Sequence, residues 1–389
     1  MSSFIPSSPR ELTPEWVTDA MRGAGALPAG RVSEIEIRAL GDGGTGFTGD
    51  TVRVVLTYEG ADGAPGTLIA KFPTADRQNR VMLEQFDAYA REIRFYREFA
   101  HRMPCPTPTY LGSDYDVDGA KKTGPRMSKV IDALPDVIQL AITKDVTKFM
   151  RGTKRRYALL IEDLGAGTTV YDLSSPPDDD QLAAALDVLA SVHAAFWEDP
   201  SIVGSDVFRP VITTTPGLYQ TVGRKRCLGM ARERWADWFS GDEEAAVSGA
   251  LDGLRDDVAI LNQPRTMIHG DPRSDNILYT DTGQVVLLDW ALASHANPGF
   301  DVGYLLSSCL TAERLGSRAA LVDGYRDSLA ARGVSIDRDE LRRGVDATYR
   351  ALAVQILLSI AVLQGESYGE DSMEDLWMPR IVAGLTTPW

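Results

Sequence analysis

The sequence is poor in the residues that build disulfide frameworks and zinc sites. Its 389 residues include three cysteines, Cys105, Cys227 and Cys309, far apart and odd in number. That pattern argues against both a disulfide scaffold and a zinc site, and it fits free thiols in a reducing cytoplasm. Long apolar runs are also missing. Without a stretch of about 18 apolar residues, no membrane span is expected. The opening MSSFIPSSPRELTPEW lacks a basic start followed by an apolar core, so no secretory signal is expected and the location implied is cytoplasmic. Positive charge is in deficit as well. Forty Lys and Arg against 55 Asp and Glu leave a net charge of −15, which argues against nucleic acid as the main partner. An acidic surface suits a cationic small molecule, and it also serves solubility.

What is present is the composition of a globular protein: 44% hydrophobic and 24% charged residues. A chain of 389 residues is too long for one ordinary core, so two lobes are expected. The stretch that organises them runs from Thr266 to Ala291, TMIHGDPRSDNILYTDTGQVVLLDWA. Two short apolar runs, 276–279 and 285–288, flank Thr280-Asp281-Thr282-Gly283, a strong turn signal. The resulting β-hairpin brings Asp271, Asn276 and Asp289 to one end. Two carboxylates and a carboxamide on a loop edge suit Mg2+, which keeps some waters and takes other ligands from substrate phosphates.

The spacing is more specific than the composition. Protein kinases place a catalytic Asp five residues before a metal-binding Asn, with a second metal-binding Asp after a hairpin. Here Asn276 lies five residues after Asp271, and Asp289 lies 18 after it. The form His269-Gly270-Asp271, four residues, Asn276, a hydrophobic strand and Asp289 resembles the aminoglycoside phosphotransferase and choline kinase superfamily, and within it the ecdysteroid-kinase-like branch. The resemblance runs from about Val32 to Gly303. It implies an α+β, bilobal, protein-kinase-like fold: an N-terminal nucleotide-binding lobe over 1–163, carrying an insert at 114–156, and a mostly helical catalytic and acceptor-binding lobe over 164–389.

The remaining segments fit that expectation. Thr13-Pro14-Glu15-Trp16 is a helix start, and Trp16, Val17 and Met21 would dock on the first lobe. Strands are expected over 32–37, 51–58 and 67–72 as an antiparallel meander, then over 109–113 and 157–161. Gly41, Gly43 and Gly46 form a GxGxxG pattern, with Gly44 inside it. A dinucleotide fingerprint needs a helix directly after the glycines, whereas a strand follows here. A glycine loop between antiparallel strands is the kinase arrangement, folded over nucleotide phosphates through backbone N–H groups. Lys71, between Ala70 and Phe72 in an apolar strand, needs an anionic partner if buried. The resemblance assigns it the ATP phosphates and a helix glutamate, Glu92, with Glu84 as runner-up. One helix is expected over roughly 77–102. Backbone groups of Glu162, Asp163 and Leu164 would hold adenine at a hinge, where the lobes would pivot.

Within the insert, a helix is expected near 134–150, beside a basic cluster. In the second lobe, Asp178-Asp179-Asp180 caps a helix whose buried face carries His193, read as structural. Asp301 would cap a helix or hold the catalytic loop. Trp235, Trp238, Phe239 and Trp377 are core residues by default, with an acceptor pocket as the alternative. The acidic 365–377 segment reads as a solvated loop. The function implied is transfer of the ATP γ-phosphoryl group, with Mg2+, to a hydroxyl of an aminoglycoside, amino alcohol, sugar or steroid-like acceptor. Asp271 is the base, and Asn276 and Asp289 hold the metal. A protein kinase is disfavoured by the absence of Ala-Pro-Glu after Asp289. A binding-only relative is disfavoured because every catalytic residue type is present.

Overall fold

The computed structural model describes residues 4–40, 49–61, 63–116, 130–144, 155–165, 167–210, 215–362, 367–368 and 371–389. The chain divides into two compact units. The first holds residues 1–102, 107–122 and 147–168; the second holds 103–106, 123–146 and 169–389.

The first unit is built on an antiparallel sheet of five strands in the order β1-β2-β3-β5-β4. These are β1 (Arg31–Ala39), β2 (Gly49–Glu59), β3 (Thr67–Pro73), β4 (Tyr110–Tyr115) and β5 (Tyr157–Glu162). Helix α1 (Pro14–Gly23) starts where Thr13 Oγ1 accepts the N–H of Trp16, with Pro14 at its first position. Its Trp16, Val17 and Met21 join Val54, Leu68, Ala70, Phe72, Leu111 and Leu160 in one core. The helix lies so close to β4 that a Cβ at Gly112 would sit 2.8 Å from the carbonyl carbon of Ala20. Burial of this apolar face is what holds α1 to the sheet.

The helix expected over 77–102 is instead two. Helix α2 (Arg77–Gln85) ends at Phe86, and α3 (Ala88–Glu98) begins after Asp87, whose φ is 59°. An aspartate tolerates this left-handed conformation better than most side chains. The break re-aims the second helix, which buries Ala88, Tyr89, Glu92, Ile93, Phe95 and Tyr96. The glycine loop, with Gly41, Gly43, Gly44 and Gly46, lies outside the described residues, as do most of the insert and its basic cluster apart from Lys144, Arg155 and Arg156.

The second unit is mainly helical. Of the insert's expected helix, α4 (Asp136–Lys144) is described, and Asp132 just before it accepts the N–H of Leu218 at 3.1 Å and pairs with Arg255 at 3.0 Å. Strand β6 (Thr168–Val170) leads to α5 (Asp179–Ala195), which opens with a capping box between Asp178 and Gln181. Helices α6 (Pro216–Val222) and α7 (Leu228–Arg234) are joined by a π-helical turn, Gly223–Cys227. Helix α8 (Asp242–Leu261) packs on α11 (Arg338–Val362), where Arg350 forks onto buried Asp257.

Between α8 and the next helices lie four short strands: β7 (Thr266–Ile268), β8 (Ile277–Thr280), β9 (Val285–Leu287) and β10 (Ser294–Ala296). β8 and β9 form the expected antiparallel hairpin, and β7 pairs with β10. Helices α9 (Gly299–Cys309), α10 (Arg318–Ala331) and α12 (Met373–Thr386) complete the unit. Residues 373–377 belong to α12 and are not a solvated loop. The N-cap Ser372 accepts the N–H of Asp375, and Glu374 and Trp377 are buried. The apolar residues further along, Met378, Ile381 and Val382, give this acidic start a buried face to dock. Trp235 and Phe239 are likewise buried in the core, with Trp238 half-buried beside them.

Candidate active site

The loop leaving β7 carries His269, Gly270 and Asp271. It bends sharply because Gly270 adopts φ +85°, and a Cβ there would lie 2.2 Å from the carbonyl oxygen of Leu292. Only glycine fits. The bend is pinned from α9. Asp301, fully buried, accepts the N–H of His269 at 2.6 Å and that of Gly270 at 3.0 Å. Behind it, His193 Nε2 lies 3.2 Å from Asp301, and His193 Nδ1 lies 2.7 Å from the Tyr325 hydroxyl. A carboxylate only accepts, so Nε2 carries the proton and Nδ1 accepts from the phenol. The expected structural role of His193 thus takes a specific form: it donates to the residue that holds the loop at His269 and Gly270.

His269 points its ring away from solvent. Its Nε2 is 2.7 Å from the carbonyl oxygen of Leu288, which fixes the proton there, and its Nδ1 accepts the N–H of Asp271 at 3.3 Å. Trp290 packs against the ring at 4.6 Å between centroids. The histidine is therefore a strut between the loop and the end of β9.

Asp271 follows, with its carboxyl buried. Burial pushes that carboxyl up to about 7; the Arg273 guanidinium and the Tyr304 phenol oppose the push, and the Asp275 and Asp289 carboxylates add to it. Arg273 Nε donates to Asp271 Oδ1 at 3.2 Å. Asn276, in the 3-10 turn Ser274–Asn276, donates its Nδ2 to the backbone oxygen of Asp271 at 2.9 Å. This leaves its carboxamide oxygen directed the other way. The N–H of Leu288 donates to the backbone oxygen of Asn276 at 2.8 Å, so Asp289 emerges beside it. Asp289 has φ 58° and ψ 74°, and its side chain accepts the N–H of Ala291. The hairpin brings Asp271, Asn276 and Asp289 to one end of the second unit.

In the first unit, Lys71 Nζ lies 2.5 Å from Glu92 Oε1, with both side chains largely buried. Glu84 pairs instead with Arg80 at 3.4 Å, one helical turn away. At the end of β5 the side chains of Glu162 and Asp163 are engaged. Glu162 accepts from the N–H and hydroxyl of Thr109 at 3.0 and 2.6 Å, and Arg53 forks onto Asp163 at 2.6 and 3.0 Å. Glu162 also gives its own N–H to Thr109. Asp163 and Leu164 follow the end of the strand.

Three residues of the site, Arg273, Tyr304 and Tyr325, are not reached by sequence reasoning. For Arg273 a signal exists, since a cation two residues from the Asp271 carboxylate is within reach of it. Tyr304 and Tyr325 sit in ordinary apolar helix patterns, and nothing local distinguishes them.

The architecture is α+β, with a small antiparallel-sheet unit and a larger, mainly helical unit that carries the hairpin site. The chain belongs to the phosphotransferase enzyme family, whose sequence model matches residues 46–342, more than half of its length. Similar solved structures include wild-type aminoglycoside 2'-phosphotransferase-IIIa in its GDP complex. It shares 14% identity, with a TM-score of 0.47 and coverage of 95% of this chain and 97% of that one. Macrolide 2'-phosphotransferase MphH from Brachybacterium faecium shares 14% identity, TM-score 0.45, over 97% and 98% of the two chains. Choline kinase LicA from Streptococcus pneumoniae shares 13%, TM-score 0.44, over 91% and 94%. None of the curated protein sequences is significantly similar to this chain.

Proposed function

We propose that the protein transfers the γ-phosphoryl group of ATP, with Mg2+, to a hydroxyl of a small molecule. The observation that carries this reading is the pinned loop: a buried carboxylate, Asp271, held beside Asn276 and Asp289 by a fully buried Asp301. Family membership supports it.

The donor set fits Mg2+. Mg2+ takes oxygen ligands and draws the rest of its shell from phosphate and water. Asn276, with its amide nitrogen committed to Asp271, offers an oxygen, and Asp289 offers a carboxylate. Bound there, Mg2+ would neutralise phosphate charge as it is redistributed.

The chain's own residues then have distinct roles. The acceptor oxygen forms a bond to the γ-phosphorus as the bond from that phosphorus to the ADP oxygen breaks. Asp271 orients the acceptor hydroxyl and takes its proton. In the first unit, Lys71, steadied by Glu92, would bind phosphate oxygens, and the loop at Gly41, Gly43, Gly44 and Gly46 would add backbone N–H groups. Adenine would be met by backbone groups of Glu162, Asp163 and Leu164, the N–H of Glu162 being already given to Thr109. In this reading residues 1–163 form the nucleotide lobe and 164–389 the catalytic and acceptor lobe, although 103–106 and 123–146 cluster with the second unit and 164–168 with the first. Free Cys105, Cys227 and Cys309 support a reducing cytoplasmic location. The acidic charge argues against nucleic acid as a partner, and no helix among the described residues is long and apolar enough to cross a membrane.

The test is incubation with Mg-ATP and a panel of aminoglycosides, amino alcohols, sugars and steroid alcohols, following ADP and the mass of each acceptor. One acceptor gaining a phosphoryl group in step with ADP supports the reading. Nucleotide binding without transfer to any of them would favour a binding-only protein.

A further inference from the structure

Arg273 is not placed as a surface arginine. Its side chain is 7% exposed, and burying a guanidinium is unfavourable unless the charge is met. What meets it is the carboxylate that the chemistry requires. Nε lies 3.2 Å from Asp271 Oδ1 and 3.6 Å from Asp275 Oδ1. At the other end of the group, Nη1 lies 3.4 Å from the sulfur of Met373.

Met373 is the first residue of α12, a hundred residues further along the chain, and that helix start is itself tied down. Ser372 caps it, and Asp375 accepts from the Arg234 guanidinium at 2.8 Å and from the Trp235 indole at 2.7 Å. Trp377, one turn on, packs against Tyr304 at 5.0 Å between centroids, and its indole donates to Ser307. A flat guanidinium with one edge on a carboxylate and another on a fixed sulfur cannot easily turn.

We propose that Arg273, seated on Met373 of the C-terminal helix, is a positioning residue for Asp271. A carboxylate alone on a loop rotates about its terminal torsion, which is broad and soft. Together with the Tyr304 phenol, the Arg273 donor on Oδ1 defines the plane in which the carboxylate meets the acceptor hydroxyl. Nε is the guanidinium nitrogen attached directly to the side-chain stem, so its N–H direction follows the backbone most closely. The role requires the fork's geometry as well as its charge, and lysine would supply only the charge. The proposal rests on the reading of Asp271 as the base.

The experiment uses the full chain with Mg-ATP, taking water as the acceptor and measuring released phosphate. Nucleotide affinity is measured separately by calorimetry. Arg273→Ala and Arg273→Lys should both lower kcat, by about tenfold to a hundredfold, the range of a charge-assisted hydrogen bond. Nucleotide affinity should be unchanged. Arg273→Ala placed in Asp271→Asn should cause no further loss, because a residue that acts through another contributes nothing once that one is disabled. Guanidinium ion added to Arg273→Ala should restore part of kcat saturably and should do nothing for Asp271→Asn. Wild-type kcat in Arg273→Lys would reduce the role to charge and overturn the proposal. So would losses that multiply in the double variant, or a lowered melting temperature with normal kcat per folded molecule. Arg273→Lys keeps the test open if Arg273→Ala fails to fold. Full activity in Asp271→Asn alone would defeat the reading of the base, an outcome separate from failure of the Arg273 variants.

Discussion

Asp301→Ala is the perturbation whose consequence follows most directly from the geometry. The carboxylate accepts three hydrogen bonds, from the backbone of His269 at 2.6 Å, the backbone of Gly270 at 3.0 Å and the His193 imidazole at 3.2 Å. All are buried. Truncation leaves each donor without its acceptor, at about 1–3 kcal/mol apiece, although local relaxation and an entering water recover part of this. A net loss of roughly 3–5 kcal/mol is expected. At about 2–4 °C per kcal/mol for a unit of this size, the melting transition should fall by roughly 10 °C. Asp301→Asn keeps one acceptor oxygen but places an N–H2 where another is needed, so its loss should be smaller, about 2 kcal/mol. Because the released amides flank Asp271, turnover per folded molecule should also fall, by about 10² for a displacement near 1 Å. Differential scanning calorimetry and phosphate release on the same samples test both halves. Asp301→Ala with wild-type melting and wild-type turnover would refute the argument that this carboxylate holds the loop.

Other expectations follow from the remaining contacts. Lys71→Ala should destabilise the first unit, since it removes the ion-pair partner of the buried Glu92 carboxylate. Adding Glu92→Ala should recover most of the melting temperature but none of the nucleotide affinity. ATP affinity by titration calorimetry should drop sharply in EDTA, and equal affinity with and without Mg2+ would remove the metal from Asn276 and Asp289. Hydrogen bonds from Arg234 hold the Asp375 carboxyl down, at about 2. A depressed carboxylate contributes stability above its unfolded value near 3.8, and that stability is lost as the pH falls from about 4 towards 2. The start of α12 should therefore loosen over that window in wild type, less so at high salt because the pair is partly exposed. The Asp375→Asn protein should show little such dependence.

Much of this arrangement is legible in the amino-acid order itself. Strand runs rich in β-branched residues and a helix start at Thr13-Pro14 are local signals, and the structure has β1 to β5 and α1 where they point. The β8–β9 hairpin is legible for the same reason: a turn tetrad between two apolar runs leaves one pairing. What is not legible depends on distant contacts. The break at Asp87 is a single residue in a left-handed conformation inside a helical pattern. The start of α12 reads as an acidic loop because its buried residues, Glu374 and Trp377, find their partners in Ser359 and Ser307 on other helices. The Asp301 clamp is legible only as a choice between a cap and a loop support. Its partners, the His269 and Gly270 amides and His193, are brought together by the tertiary fold.

In the proposed function Asp271 performs base chemistry in phosphoryl transfer. Steady-state turnover of Asp271→Asn tests it most directly, with nucleotide affinity and melting temperature measured alongside. The amide matches the carboxylate in size, and the carboxyl it replaces is one that burial pushes up to about 7. Packing and nucleotide affinity should therefore survive while turnover falls by about 10²–10⁴, the usual contribution of a general base. Turnover near wild type, in a variant that folds and binds ATP normally, would contradict the account.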